Sequence, residues 1–331
     1  MFDFITPWLQ NPYALAAILV AGFVFLILGA DWLVDGASGI AKRYQVSDLV
    51  IGLTIVAFGT SMPEMIVNLV SVAHGTTDIA ITNILGSNTI NVFIILGLTA
   101  IVYPVASQKS SRKFDIPFAM AAGLLVLLFV AADNLFGNGT AGIGRGEGII
   151  LLIFFVIFMV LTFRRAKVAP STIQAGNYRP MKVWKALVLI VFGLLLLVCG
   201  GEMIVKSSVK IATDLGISDA IIGLTVVALG TSLPELATSV VAAFKKNSDL
   251  ALGNVIGSNI FNVFFVLGVS SVIHPLPAYD GLAVDAFLAA LGCALVWIFV
   301  ETNKEREVKR WEGMLLVLIY AGYLTYRLMT M

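Results

Sequence analysis

The stretch LVIGLTIVAFGTSMPEMIVNLVSVA, residues 49–73, decides the reading of this chain. It is long and apolar enough to cross a bilayer, which takes roughly 20 such residues. Yet it carries an acid, Glu64, directly after a proline, Pro63. A second stretch, residues 230–235, reads GTSLPE and lies 171 positions after GTSMPE at 59–64.

The surroundings place both stretches in a membrane protein. Of 331 residues, 59% are hydrophobic and 12% charged; a soluble domain carries about 25% charged residues. The net charge of +1 offers nucleic acid no general attraction, and none is expected as a partner. Cys199 and Cys293 both sit in apolar runs, with no disulfide or thiolate-metal spacing. The opening MFDFITPWLQNP has no Lys or Arg and lacks the basic start of a secretory signal. Hydrophobic runs predict ten spans, near 13–39, 47–73, 79–104, 114–133, 147–163, 183–210, 218–244, 250–274, 281–300 and 310–329. The longest polar connection, 164–182, separates five spans from five.

The two halves repeat. Residues 48–104 align without a gap on 219–275, with 25 of 57 positions identical. The matches are rich in polar and helix-breaking residues: Gly59/Gly230, Thr60/Thr231, Ser61/Ser232, Pro63/Pro234, Glu64/Glu235, Ser87/Ser258, Asn88/Asn259 and Asn91/Asn262. An odd number of spans followed by its copy places the copy upside down, the inverted repeat of many secondary transporters. The predicted fold is therefore an all-α polytopic membrane protein of ten transmembrane helices in two inverted five-helix repeats. The first repeat is 1–163 with its motif at 48–104, 164–182 is a cytoplasmic linker, and the second repeat is 183–331 with its motif at 219–275. Loops after the odd-numbered spans, with the starts of the spans that follow them, hold seventeen of the Lys and Arg residues, against four elsewhere. The positive-inside rule then puts those loops in the cytoplasm and both termini outside.

The chemistry follows from oxygen. A charged side chain at the bilayer centre costs at least ~2.5–3.5 kcal/mol, and neither motif span has a basic residue near its Glu. A bound cation would supply the counter-charge. Pro63 and Pro234 cannot donate to the helical ladder, which exposes carbonyl oxygens around Ala57–Thr60 and Ala228–Thr231. Thr60, Ser61, Thr231 and Ser232 add hydroxyls. The second polar stretches, NILGSNTINVF (83–93) and NVIGSNIFNVF (254–264), place Ser87, Asn91, Ser258 and Asn262 opposite the carboxylates. Hard oxygen ligands of this kind suit calcium. Asp48, Asp78, Asp219 and Asp249 start their spans and read as helix caps. Asp31 and Glu202, also 171 apart, read as polar helix ends before lining an ion path. No nucleotide loop, His/Cys cluster or serine-nucleophile motif is present, so neither an enzyme nor a prosthetic group is expected.

GTSMPE…GSNTIN, GTSLPE…GSNIFN and GADWLVDGAS (29–38) resemble the calcium/cation antiporter superfamily, in particular its prokaryotic sodium/calcium exchanger type. The resemblance implies exchange of calcium for sodium by alternating access, in a prokaryotic plasma (inner) membrane. Glu64 and Glu235 would bind calcium with the backbone oxygens of Thr60 and Thr231. Ala57, Thr60, Glu64 and Ser87 would form one sodium site, and Ala228, Thr231, Glu235 and Ser258 its partner. Asn91 and Asn262 would line the centre, while spans 1 and 6 slide across the core. Some family members have Asp where this chain has Asn262, so a potassium-coupled cycle is not expected. Calcium/proton exchange on the same fold is the alternative.

Overall fold

The computed structural model describes residues 3–75, 77–136, 142–166, 181–216, 228–279 and 281–330. The helices are α1 (Pro12–Tyr44), α2 (Asp48–Thr60), α3 (Met62–Ala73), α4 (Ala80–Val102), α5 (Ser111–Ala131), α6 (Arg145–Ala166), α7 (Val183–Asp214), α8 (Ala228–Thr231), α9 (Leu233–Phe244), α10 (Ser248–Ile273), α11 (Leu282–Thr302) and α12 (Arg310–Thr330). Among the described residues seven are long and apolar enough to span a bilayer, and α2 with α3 makes an eighth, bent by 45°. The chain is an integral membrane protein. At 12 residues α9 is too short to span alone. The start of the predicted seventh span, 218–227, and most of the predicted linker lie outside the described residues, as does Asp219.

Two helices form the centre. In α4 and α10, 78% of the most apolar window is buried, against 22% in α1 and α6. A helix that is apolar all round belongs in a core or in lipid. Here α4 and α10 take the core, and α1, α6 and α7 expose Phe23, Phe25, Ile153, Val156, Val188 and Phe192 on the outside, where lipid covers them.

α1 and α7 run antiparallel in close contact. Gly22, Gly29 and Gly36 recur every seven residues on α1 and face Gly200, Gly193 and Ala186 on α7. A Cβ at Gly29 would stand 2.7 Å from the Gly193 carbonyl, and one at Gly193 would stand 2.8 Å from that of Gly29. Small residues at this spacing let two backbones pack by van der Waals contact alone.

Both motif helices break at a serine. Ser61 (φ −82°, ψ 6°) separates α2 from α3, and Ser232 (φ −89°, ψ 4°) separates α8 from α9. Each proline then falls in the first turn of the following helix, where a missing N–H costs little. The caps differ from expectation. Ser47 Oγ accepts from Val50 N at 3.3 Å and Asn247 Oδ1 from Leu250 N at 3.1 Å. Asp48 and Asp249 lie one and two residues further on, where a carboxylate complements the helix dipole without capping it. Asp249 instead accepts from Gln108 Nε2 at 2.6 Å.

Four two-residue strands tie the helix ends: β1 (Val105–Ala106) pairs antiparallel with β4 (Glu307–Val308), and β2 (Gly142–Ile143) with β3 (Leu276–Pro277).

Candidate ion-binding centre

The two glutamates meet in the interior. Glu64, in the first turn of α3, and Glu235, in the first turn of α9, are both fully buried. They are near enough for their charges to repel. Burial of two carboxylates with no cation in contact is costly unless hydrogen bonds and a counter-charge compensate.

The hydroxyls that reach them cross between the halves. Ser61 Oγ donates to Glu235 Oε1 at 3.0 Å, and Ser232 Oγ to Glu64 Oε1 at 3.3 Å. The serine at each helix break therefore serves the other motif's acid. Ser87 Oγ also reaches Glu64 Oε1 at 3.2 Å and lies 3.0 Å from Ser232 Oγ. The hydroxyls of Thr231 and Ser258 stand beside Glu64 and Glu235 respectively without making a hydrogen bond of good geometry. Thr60 Oγ1 donates to Asn254 Oδ1 at 3.1 Å.

The carbonyls are partly committed. The Ala57 carbonyl stays in the helical ladder, accepting from Ser61 N at 3.0 Å and from Thr60 Oγ1 at 3.4 Å. The ladder position that Pro63 vacates is that of Gly59, four residues earlier. Ala228 is the first residue of α8, and its side chain lies outside the described set.

Four asparagines lock the floor of the site. Asn88 Nδ2 donates to the Asn259 carbonyl at 3.1 Å, and Asn259 Nδ2 to the Asn88 carbonyl at 3.3 Å. This reciprocal pair presents its amide oxygens to the next layer: Asn91 Nδ2 donates to Asn259 Oδ1 at 3.1 Å, and Asn262 Nδ2 to Asn88 Oδ1 at 3.0 Å. Asn262 Nδ2 also donates to Ser87 Oγ at 3.3 Å, while the Oδ1 atoms of Asn91 and Asn262 have no hydrogen-bond partner. Each of these asparagines stands at a π-helical turn, Asn91–Leu96 in α4 and Phe261–Leu267 in α10. Such single-turn bulges re-aim side chains and recur at functional sites.

Six side-chain oxygens of the sequence-predicted site residues are buried without a hydrogen-bond partner: Glu64 Oε2, Glu235 Oε2, Asn91 Oδ1, Asn262 Oδ1, Thr231 Oγ1 and Ser258 Oγ. Two are carboxylate, two amide and two hydroxyl oxygens. Among the described residues no group of three or more His, Cys, Asp or Glu could hold a metal, so a cation here would draw on neutral oxygens as well as the two acids. The donor set suits hard cations and offers nothing to a soft one.

Sequence reasoning left four supporting residues out of the site. Asn88 and Asn259 orient the central amides. Asn254 Nδ2 reaches the Glu235 carbonyl at 3.3 Å and Ser239 Oγ at 3.0 Å, while Asn68 Nδ2 reaches the Glu64 carbonyl at 3.1 Å. The signal existed: Asn88/Asn259 and Asn83/Asn254 are identical across the repeat, and Asn68 faces Ser239 at the same offset.

The chain matches the family described as sodium/calcium exchanger protein over residues 14–164 and 185–329. CaxA of Alkalimonas amylolytica is 40% identical over 92% of this chain and 96% of its own length. The sodium/calcium exchanger MaX1 of Methanosarcina acetivorans is 33% identical over 93% of this chain and 96% of its own. Among solved structures, the sodium-calcium exchanger NCX_Mj soaked with Na+ and Sr2+ superposes with a TM-score of 0.80 at 32% identity, covering 94% of this chain and 97% of that one.

Proposed function

This chain belongs to the sodium/calcium exchanger protein family, and from that premise we propose that it exchanges calcium for sodium across the membrane by alternating access. The observation that carries the reading is the pair of buried acids, Glu64 and Glu235, together with six buried side-chain oxygens of the predicted site residues that have no hydrogen-bond partner. Calcium takes roughly 6–8 oxygen ligands, carboxylates and carbonyls among them.

Charge sets the exchange. One calcium or two sodium ions neutralise the pair of carboxylates, and a third sodium leaves the loaded centre at +1 and its movement sensitive to voltage. Both ions need the same oxygens, so they compete, and competition at one site that opens alternately to two sides is obligatory exchange. In this reading Glu64, Glu235 and the backbone oxygens of Thr60 and Thr231 hold calcium. Ala57, Thr60, Glu64 and Ser87 hold one sodium, and Ala228, Thr231, Glu235 and Ser258 another. Ser61 and Ser232 brace the acids across the halves. With Asn at both 91 and 262 the centre has two formal charges, and potassium has no third acid to pair with.

The finer architecture belongs to the same proposal: ten spans in two inverted repeats, 1–163 and 183–331, joined by a cytoplasmic linker, with both termini outside a prokaryotic inner membrane. The α1–α7 pair, welded along its glycines, slides as one body over α3 and α9. Physiological gradients of sodium drive calcium outward.

Purified protein in sodium-loaded vesicles, diluted into sodium-free buffer with radioactive calcium, tests the reading. The expected result is calcium accumulation that requires internal sodium and is lost in both Glu64→Gln and Glu235→Gln. Accumulation driven only by a proton gradient would assign calcium/proton exchange to the same two acids. No gradient-driven calcium movement by folded protein under either condition would overturn the ion assignment.

A further inference from the structure

Asn83 and Asn254 stand 171 positions apart and hold the same place in the two halves. In the second half that place is fully bonded. Thr60 Oγ1 donates to Asn254 Oδ1 at 3.1 Å, closer than its other contact, the Ala57 carbonyl at 3.4 Å. Asn254 Nδ2 then donates to Ser239 Oγ at 3.0 Å and to the Glu235 carbonyl at 3.3 Å. This relay runs from α2 through α10 to α9. Its mirror would run from Thr231 on α8 through Asn83 on α4 to Asn68 on α3. α8 packs against α4 as α2 packs against α10, yet neither bond of the mirror relay is made. Thr231 Oγ1, Asn83 Nδ2 and Asn68 Oδ1 are all buried without a hydrogen-bond partner.

We propose that Asn83 and Asn254 are positioning residues that take the opposite half's motif threonine in turn. Asn254 holds Thr60 in the state described above, and Asn83 holds Thr231 in the state open to the other side of the membrane. The proposal rests on the alternating-access reading. Residue type does not account for the difference between the halves. The relays differ only at the third member, Asn68 for Ser239, and an amide oxygen accepts a hydrogen bond as a hydroxyl does. Asn68 Nδ2 is engaged by the Glu64 carbonyl at 3.1 Å, which leaves its Oδ1 as the acceptor for Asn83. A buried donor and acceptor held apart cost free energy. The open relay is therefore imposed by the surrounding packing, and it closes when that packing changes.

A cavity marks the unbonded half. It holds about 310 Å3 between α3, α7 and the α8–α9 break, lined by Pro63, Ile66, Val67, Glu202, Thr231 and Pro234 among others. Thr60, in the bonded relay, is fully buried. On the bonded side the threonine hydroxyl is committed to Asn254. On the cavity side it is left for an arriving ion or its water. Exchanging the two arrangements moves the uncommitted hydroxyl from Thr231 to Thr60, and with it the half that admits ions.

The test compares Thr60→Val with Thr231→Val, each of which deletes one hydroxyl and keeps the shape and the backbone oxygen. Initial rates of radioactive calcium uptake are measured against calcium concentration in right-side-out and everted membrane vesicles. An apparent KM rises as the state open to that side becomes rarer, so the ratio of the two KM values reports the balance of states. Thr60→Val is expected to raise KM on the cavity side relative to the other side by ~2–10-fold, as loss of one neutral hydrogen bond implies. Thr231→Val is expected to move the ratio by a similar factor in the opposite sense, and Thr60→Ser and Thr231→Ser to restore it. A merely structural role would lower the thermal midpoint without opposed shifts. A ratio unchanged in both valine variants, or moved the same way by both, would overturn the proposal. Labelling of Val67→Cys by a water-soluble maleimide, in a Cys199→Ser and Cys293→Ser background without transported ions, reads the same balance without flux. Should wild type move no calcium under any gradient, the ion assignment falls and labelling alone decides the relay. Slower labelling in Thr60→Val than in Thr231→Val upholds it, and equal or reversed rates overturn it. If either valine variant fails to fold, Asn254→Leu and Asn83→Leu take their places in the same comparison.

Discussion

Asn262 donates to Asn88 Oδ1 at 3.0 Å and to Ser87 Oγ at 3.3 Å, and Asn91 to Asn259 Oδ1 at 3.1 Å, and these bonds hold the orientation of the central amides. An amide turned the other way would present N–H groups to a cation. Residues that orient metal ligands from behind change affinity by about 10–100-fold when removed. Asn259→Ala is therefore expected to weaken calcium binding by about tenfold while leaving Glu64 and Glu235 in place, as titration of binding in detergent would record. Ser232→Ala makes a second expectation at this scale. It removes a donor from Glu64 Oε1 that comes from the other half, so a hydrogen bond to a charged group is lost at ~1.5–3 kcal/mol. Its effect should be matched by Ser61→Ala, which removes the corresponding donor from Glu235. Unequal effects of the two would show that the crossing bonds are not equivalent in the cycle. Serine, threonine and asparagine at the site were legible in sequence from their offset of 171. Their pairing was not, because a serine hydroxyl three residues from its own glutamate gives no sign that it serves the other one.

Among the elements, the α1–α7 pair depends on its glycines. A Cβ at Gly29 would stand 2.7 Å from the Gly193 carbonyl and 2.8 Å from Leu197 N, backbone atoms that cannot move without separating the helices. Gly29→Leu is expected to destabilise the protein on the order of 1–3 kcal/mol by overpacking, read as a lowered thermal midpoint in detergent, whereas Val24→Leu on the exposed face of the same helix should leave it unchanged. The apolar run at 13–39 predicted a spanning helix, and the structure has one of 33 residues, Pro12–Tyr44. The break in span 2 was legible from Pro63, though the hinge falls at Ser61, where the chain must turn before proline can occupy a first-turn position. The capping acids were misplaced for a simpler reason: Ser47 and Asn247 precede Asp48 and Asp249, and a cap needs the non-helical backbone that the earlier residue adopts.

For the molecule as a whole, the two ends differ although the halves share so much sequence. Lys245 clamps Asp31 and Asp35 on the side where α1 ends and α2 begins, while the cavity opens beside Glu202 towards the other end of α7. If the α1–α7 pair moves as a body, the clamp must release for the opposite side to open. Lys245→Met is expected to raise hydrogen exchange severalfold at residues 42–50 and 245–250 with little change at 203–214. Protection unchanged at 42–50 would mean that Asn247 and Ser38 hold that end without the lysine.

What the sequence determined by itself was the class, the duplication and the chemistry. Apolar length demands a membrane, an exact offset of polar residues exposes the repeat, and an acid after a proline in an apolar span demands a counter-charge. Those are local properties of a chain in a low-dielectric solvent, and they hold in any packing. Tertiary structure alone decided that Ser61 serves Glu235 and Ser232 serves Glu64, that an asparagine pair turns the amide oxygens, and that Lys245 rather than a solvent cation meets Asp31. Each of these joins residues more than 140 positions apart. The contacts arise because α4 and α10 cross at the centre and bring the halves face to face, a juxtaposition that no pattern within either half contains.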